Sequence, residues 1–332
     1  MLPEQVVNMS VPRLSFDQVI DGLISSKQSH FSSYLAMYSS WYQGIVIDPA
    51  LMLVPVDDHL VHRGDGIFEA FKCTNWNIYA LDRHLERMKH SLATSGLECP
   101  VDRSHLIEII RETVRAGNAP DCIIRVFISR GPGSFTASPY DTVGSQLYVV
   151  VTEYIPTPKE RYEKGVTLVT VGVPVKSDYF ATVKNCNYLP NVLMKKAATD
   201  TGADYPISLD ERGFLAEGAT ENIGIVTGKG ELLIPRFLRT LRGITVTRTL
   251  ELARQMLGKE LTVVAEADIT RELAYAASEM LVFGTSFNIL PVVEYDGRMI
   301  GNGKPGPIFG KLLEMIADDV ANNPEMLTPV AG

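Results

Sequence analysis

The chain is poor in cysteine. Cys73, Cys99, Cys122 and Cys186 are scattered without a CxxC pair or a Cys/His cluster, so neither a metal site nor a disulfide framework is expected. Positive charge is also in deficit. The 31 Lys and Arg stand against 39 Asp and Glu, and a net charge of -8 argues against a nucleic-acid partner, which wants a basic surface. No run approaches the ~20 apolar residues that a membrane span needs. The first ten residues lack the basic start and apolar core of a signal peptide, and together with unpaired thiols this predicts a cytoplasmic protein. There is no repeat and no low-complexity tract.

The 332 residues are 45% hydrophobic and 21% charged, which suits a globular chain long enough for two cores. Residues 1–30 read as an arm with a short amphipathic helix, in which Phe16, Val19, Ile20 and Leu23 share a face behind Ser15 as cap. Residues 45–54 read as two strands around an Asp-Pro turn. Strands follow at 66–72, 77–81, 122–129 and 145–152, with helices at 81–92 and 104–116. In the first helix Leu81, Leu85, Met88 and Leu92 recur at helical spacing. Prolines at 156 and 158 break regular structure, which places a linker at 156–163 between a small α+β unit (31–155) and a larger one (164–332). In the second unit, helices are expected near 190–201, 245–257 and 307–322, among strands at 165–171, 205–210, 222–227, 261–264, 279–283 and 291–296. Strands outnumber helices without alternating one for one, so the fold class is α+β rather than a doubly wound sheet.

Two residues carry the chemistry. Lys184 lies among aromatic and amide side chains just ahead of a helix start, and partly apolar neighbours lower an amine's pKa toward imine exchange at neutral pH. Glu217 lies 33 residues on, in a turn whose Gly218, Ala219 and Thr220 leave room for a ring. A lysine that forms an imine and a carboxylate that keeps a pyridine nitrogen protonated are what pyridoxal phosphate asks of a protein. Three places offer phosphate donors: Arg87 on the 81–92 helix, the Gly243-Ile244-Thr245 amides at a helix start, and the Gly284-Thr285 turn.

Six motifs, in order over roughly residues 32–320, resemble the class IV (fold type IV) pyridoxal-phosphate aminotransferase family. They are HRGDGIFE (62–69), HLER (84–87), TVKNCNYLPN (182–191), GFLAEGATEN (213–222), LRGIT (241–245) and FGT (283–285). The family takes in branched-chain and D-amino acid aminotransferases and aminodeoxychorismate lyases, and the match is nearest to plant-type members. The resemblance implies a two-domain fold, a mainly antiparallel sheet or barrel with helices in each domain, and a homodimer with sites at the domain interface. It makes Lys184 the catalytic lysine and Glu217 the partner of the ring nitrogen. It places Arg87, Gly243, Ile244, Thr245, Gly284 and Thr285 at the phosphate. Tyr188 falls at the ring oxygen, Leu241 against the ring, and Thr220 and Asn222 behind it. Phe68, Arg125, His62, Arg63 and Ser286 fall on the substrate side. The chain departs from the D-amino acid members in the loop 130–140, which has no His and no second Arg, and at Phe68, where several relatives carry tyrosine.

The expected reaction moves an amino group between a branched-chain or hydrophobic L- or D-amino acid and a 2-oxo acid. The alternative is the lyase, which releases pyruvate and 4-aminobenzoate with the same cofactor.

Overall fold

The computed structural model describes residues 11–26, 28–176 and 178–331. The expected arm at 1–30 therefore lies partly outside the described residues. Its helix is Phe16–Ser25, and Ser15 and Gln18 form a reciprocal capping box at its start.

Two sheets make up the body. The first runs, from edge to edge, through Leu327–Pro329, Asn77–Tyr79, Gly66–Thr74, Cys122–Ser129, Gln146–Glu153, Tyr34–Ser39 and Gly44–Val46. All of its neighbouring pairs are antiparallel. The second runs through Val263–Ala267, Glu231–Pro235, Asn222–Val226, Glu279–Gly284, Asn288–Tyr295, Val166–Thr170 and Tyr205–Ile207, and mixes parallel with antiparallel pairs. The architecture is α+β, as expected. The last strand, Leu327–Pro329, pairs with Asn77–Tyr79 in the first sheet, so the expected 164–332 unit gives its end back to the first sheet.

The first sheet is two-faced. Ile67, Phe71 and Cys73 alternate along Gly66–Thr74 and pack with Leu85, Met88, Ile110 and Val114 of the helices Leu81–Ser95 and Arg103–Gly117. The other residues of that strand, Phe68, Ala70 and Lys72, consequently face the second sheet. Asp102 caps the second helix, its carboxylate accepting from the His105 amide at 2.9 Å.

Three local expectations are corrected. Residues 51–54 form no strand. Asp48 accepts from the Ala50 amide at 3.0 Å and starts a 3-10 turn at Pro49–Leu51, which ends the preceding strand. The linker region contains a short helix, Lys159–Lys164. Strand Glu231–Pro235 and helix Arg271–Tyr275 were not anticipated.

A buried carboxylate ties the two halves. Asp319, on the closing helix Pro307–Asn322, accepts from Tyr79 Oη at 2.6 Å and from Arg248 at 2.9 and 2.5 Å. Removing Asp319 leaves the Tyr79 hydroxyl without its partner and Arg248 with Glu251 alone, at 2.9 Å. Asp319→Ala is expected to cost about 1.5 to 3 kcal/mol of unfolding free energy in a denaturant titration, the scale of lost hydrogen bonds to a charged group. A loss under about 1 kcal/mol, the size of a surface pair, would show that the clamp does not hold the halves together.

Candidate active site

Lys184 is reached by a detour of the chain between the two sheets. Its carbonyl accepts from the Phe68 amide at 2.9 Å, the Cys186 amide donates to the Gly66 carbonyl at 2.9 Å, and Asn185 bridges Ile67. The Lys184 amide donates to Ser91 Oγ at 3.2 Å, which adds an anchor from the first helix. Held this way, the amine lies 4.6 Å from the Phe68 ring centroid, and Phe68 in turn meets Tyr188 edge-on at 5.2 Å. Burial chiefly, with the nearby Arg87 and Lys176 charges, lowers the amine to about 8 against the raising effect of Glu69 and Glu217.

Glu217 lines the same small cavity, about 30 Å³, with Lys176, Lys184, Tyr188, Asn191 and Leu241. One carboxylate oxygen accepts from the Leu241 amide at 2.9 Å. Burial raises this carboxyl to about 7, against the lowering effect of that amide and of Lys176 and Lys184. The turn around it is fixed on both sides. The Gly218 amide donates to the Glu221 carbonyl at 2.8 Å, and Asn191 Nδ2 donates to the Ala219 carbonyl at 2.5 Å. A Cβ at Gly218 would lie 2.6 Å from a Glu221 side-chain oxygen and 3.1 Å from the Pro206 carbonyl, so a larger residue would push the Glu221 side chain aside.

The phosphate candidates converge beside this cavity. Gly243 caps the helix Ile244–Ala253 without a side-chain cap, which turns the Ile244 and Thr245 amides outward at a positive helix end. A Cβ on Gly243 would fall 1.9 Å from Asn222 Oδ1. Asn222 also donates to the Leu241 carbonyl at 2.9 Å, so it binds the ring-side turn to the helix start. Phe283 pairs with Asn222 across the sheet, and this sets the Gly284-Thr285 turn next to both. Arg87 is oriented by a carboxylate that sequence reasoning missed. Glu69 accepts from Arg87 Nε at 2.8 Å and Nη2 at 2.6 Å, and pairs with His84 Nδ1 at 2.7 Å. Burial raises the Glu69 carboxyl, but Arg87 and His84 outweigh it and leave it at about 2. Arg87 Nη1 also donates to the Arg242 carbonyl at 3.0 Å. Lys176, 5.0 Å from the Tyr188 ring, is the other residue the motifs did not mark. A larger groove, about 570 Å³, lies along Arg83, Arg87, His90, Phe237, Arg242 and Ile244. It contains neither Lys184 nor Glu217, so the chemistry belongs to the smaller cavity.

The substrate-side residues divide. Phe68 is at the amine. Arg125 lies on the same sheet face, in register with Ala70, and donates to Thr152 Oγ1 at 2.9 Å. Ser286 is exposed, with its carbonyl accepting from Tyr154 Oη at 2.8 Å. Thr220 is exposed at the rim of the turn, its amide donating to Glu221 at 3.0 Å. His62 and Arg63 do not line the Lys184 cavity. The left-handed Gly64 ends their helix, His62 packs on His59 and Phe135, and Arg63 donates to the Phe135 carbonyl.

The Amino-transferase class IV family model matches residues 66–295. The chain belongs to that family. It is 39% identical over 319 residues to the D-amino-acid transaminase, chloroplastic, of Arabidopsis thaliana, covering 95% of this chain and 84% of that protein. It is 32% identical to a putative branched-chain-amino-acid aminotransferase of Methanocaldococcus jannaschii, covering 84% and 95%. The branched-chain amino acid aminotransferase of T.th., solved with pyridoxamine 5'-phosphate, superposes with a TM-score of 0.82 at 27% identity, covering 90% of this chain and 99% of that one. The protein is a pyridoxal-phosphate-dependent aminotransferase. Its residues fit the cofactor: a desolvated amine and a partly buried carboxylate share one cavity, and a glycine-capped helix end and an arginine stand next to it.

The lowered amine gives a direct check on the protein without cofactor. An amine attacks only when neutral, and a depressed pKa makes Lys184 neutral above pH about 8, where an ordinary lysine, at ~10.4, is still charged. Carbamylation of Lys184 by cyanate, followed by peptide mass spectrometry, is expected to reach half its maximal rate near pH about 8. In Glu217→Gln the midpoint should fall, because the charge that favours the ammonium is gone. A rate still climbing steeply past pH ~10 would mean an exposed, unperturbed amine.

Proposed function

We propose that Lys184 is the catalytic base and acid of the amino transfer, and that Glu217 holds the proton on the cofactor's ring nitrogen. When bound, pyridoxal phosphate supplies the electron sink for the bond broken at the substrate's Cα. The neutral Lys184 amine takes the Cα proton and returns it to the cofactor side. Its neighbours Phe68 and Tyr188 exclude water from that transfer. The Leu241 amide keeps the Glu217 carboxylate aimed, and Lys176 and Lys184 favour its charged form. Arg87 and the Gly243-Ile244-Thr245 amides, with Thr285, seat the phosphate, and Leu241 backs the ring. Arg125 holds a substrate carboxylate. The observation that carries this reading is that the partly buried amine and carboxylate line one cavity.

The donor is a branched-chain or hydrophobic amino acid, L or D, and the acceptor a 2-oxo acid; relatives named for both donor types support this breadth. No observation favours the lyase. Exposed Trp41, Tyr42, Ile47, Leu53 and Val56, and Leu189 and Val192 on the 189–200 helix, form apolar surface that supports a homodimer. Among the described residues no helix is long and apolar enough to cross a membrane. A cytoplasmic location is our reading from the four free cysteines, although the Arabidopsis relative is named as chloroplastic.

Lys184→Ala is expected to abolish turnover and leave the fold intact; normal activity would sink the assignment. Glu217→Ala should keep cofactor but lose ~10²-fold or more in rate, on the scale of a lost proton-transfer partner. Single half-turnovers with D-, L- and branched-chain amino acids name the donor. The band near ~410–420 nm should give way to one near ~330 nm for each true donor. If none converts it and aminodeoxychorismate yields pyruvate, the lyase is the activity.

A further inference from the structure

We propose that Lys72 is a further binding residue of this site. With Arg125 it presents uncompensated positive charge to an anionic oxygen group, phosphate or substrate carboxylate, that enters beside the turn at 284–288. The inference rests on the aminotransferase reading and adds a residue to it.

The charges around the cavity do not balance. Arg87 is matched by Glu69 at 2.6 Å. Lys176 and Lys184 face Glu217, with Glu221 nearby. Two cations remain. Arg125 reaches only the neutral Thr152 hydroxyl, and Lys72 Nζ only the neutral Asn288 Oδ1, at 2.6 Å. Among the described residues neither has a carboxylate within ion-pair distance. Lys72 is 6% exposed, and burial alone pushes its amine down to about 8. A buried cation without a counter-charge is costly, and an anionic ligand that reaches it relieves that cost.

Its position says where that ligand sits. Phe68, Ala70 and Lys72 follow one another on one face of strand Gly66–Thr74, each step roughly 7 Å. The row begins at Phe68, 4.6 Å from the Lys184 amine. Ala70 is in register with Arg125 and Lys72 with Ile123, so Arg125 and Lys72 are diagonal neighbours. At its far end Lys72 meets the strand corner next to the Gly284-Thr285 turn and approaches the Tyr79 ring. It holds Asn288, which closes the turn that carries Thr285 and Ser286, and whose φ of 64° fixes that corner. It also lies 6.0 Å from the Tyr79 ring, in the cluster where Ile244 packs.

The test compares wild type with Lys72→Met, Lys72→Arg and Asn288→Gly. The glycine tolerates the left-handed corner and deletes only the acceptor. Each protein is titrated with pyridoxal phosphate and with pyridoxal, and the KM of the best amino donor is then measured. If the anion is the phosphate, Lys72→Met weakens pyridoxal phosphate at least tenfold and leaves pyridoxal unchanged. If it is the carboxylate, both cofactor affinities hold and the donor KM rises at least tenfold. Either result supports the proposal. Lys72→Arg should stay within threefold of wild type in each case. Lys72→Met should melt no lower than wild type without cofactor, since it removes a buried charge. Unchanged affinities and KM in Lys72→Met would overturn the inference. So would an equal loss in Asn288→Gly, which would make Lys72 a brace for the turn. Should Lys72→Met fail to fold, Lys72→Gln takes its place under the same criteria. Wild type that takes up no cofactor would overturn the parent reading and this one with it; normal uptake by wild type and Lys72→Met alike, with an unchanged donor KM, removes this one alone.

Discussion

The site depends on a short piece of backbone pairing between the two halves. Residues 184–186 add themselves to the start of strand Gly66–Thr74 through the Phe68 amide and the Gly66 carbonyl. Those bonds draw a lysine out of a connecting segment and set its amine against Phe68, where a mobile loop would have left it in water. Desolvation then does what a catalytic amine requires, because burial is the largest cause of its lowered pKa. The helix behind the strand takes part through Ser91, so the lysine is fixed by elements that also form the first core.

Two carboxylates near that lysine behave oppositely for a physical reason. Glu69 is fully enclosed but meets Arg87 through two hydrogen bonds and His84 through a third, and it stays ionised. Glu217 is only partly enclosed and is met by a single backbone donor, the Leu241 amide, and its carboxyl is raised, chiefly by desolvation. The first serves to aim a cation. The second has acceptor capacity left over, which suits a group meant to share a proton with a ligand. Glu69, the more buried of the two, stays ionised, so donor count outweighs burial in setting the difference.

Much of this was legible in the chain. The 3.6-residue spacing of Leu81, Leu85, Met88 and Leu92 marks the helix that carries Arg87, and the mostly apolar run 122–129, broken only by Arg125 before it ends at Ser129, marks a strand with the observed limits. Lys184, Glu217 and Gly243 stand in short motifs whose residue types restrict them. What was not legible depends on distant partners. Glu69 reads as one polar residue in a strand until His84 and Arg87 fold over it. Lys72 reads as a surface lysine until Asn288, 216 residues later, meets it. The 51–54 segment has strand-like residues, but the Asp48 cap and Pro49 commit the chain to a turn first. Strand Leu327–Pro329 is too short and mixed to announce itself; its partner, Asn77–Tyr79, determines its conformation.

His62 and Arg63 show the limit of carrying a role across by motif alone. They stand only a few residues before Phe68 in an unbroken match, yet the left-handed Gly64 turns the chain between them. Phe68 goes to the amine and His62 to the ring of Phe135. A motif preserves sequence spacing, whereas a site needs side-chain direction, and one glycine at positive φ separates the two. The same reasoning favours Arg125 over its neighbours on strand Cys122–Ser129. Period two puts Ile124 and Val126 into the helix-side core, and leaves Arg125 on the face that Phe68 shares with the Lys184 amine.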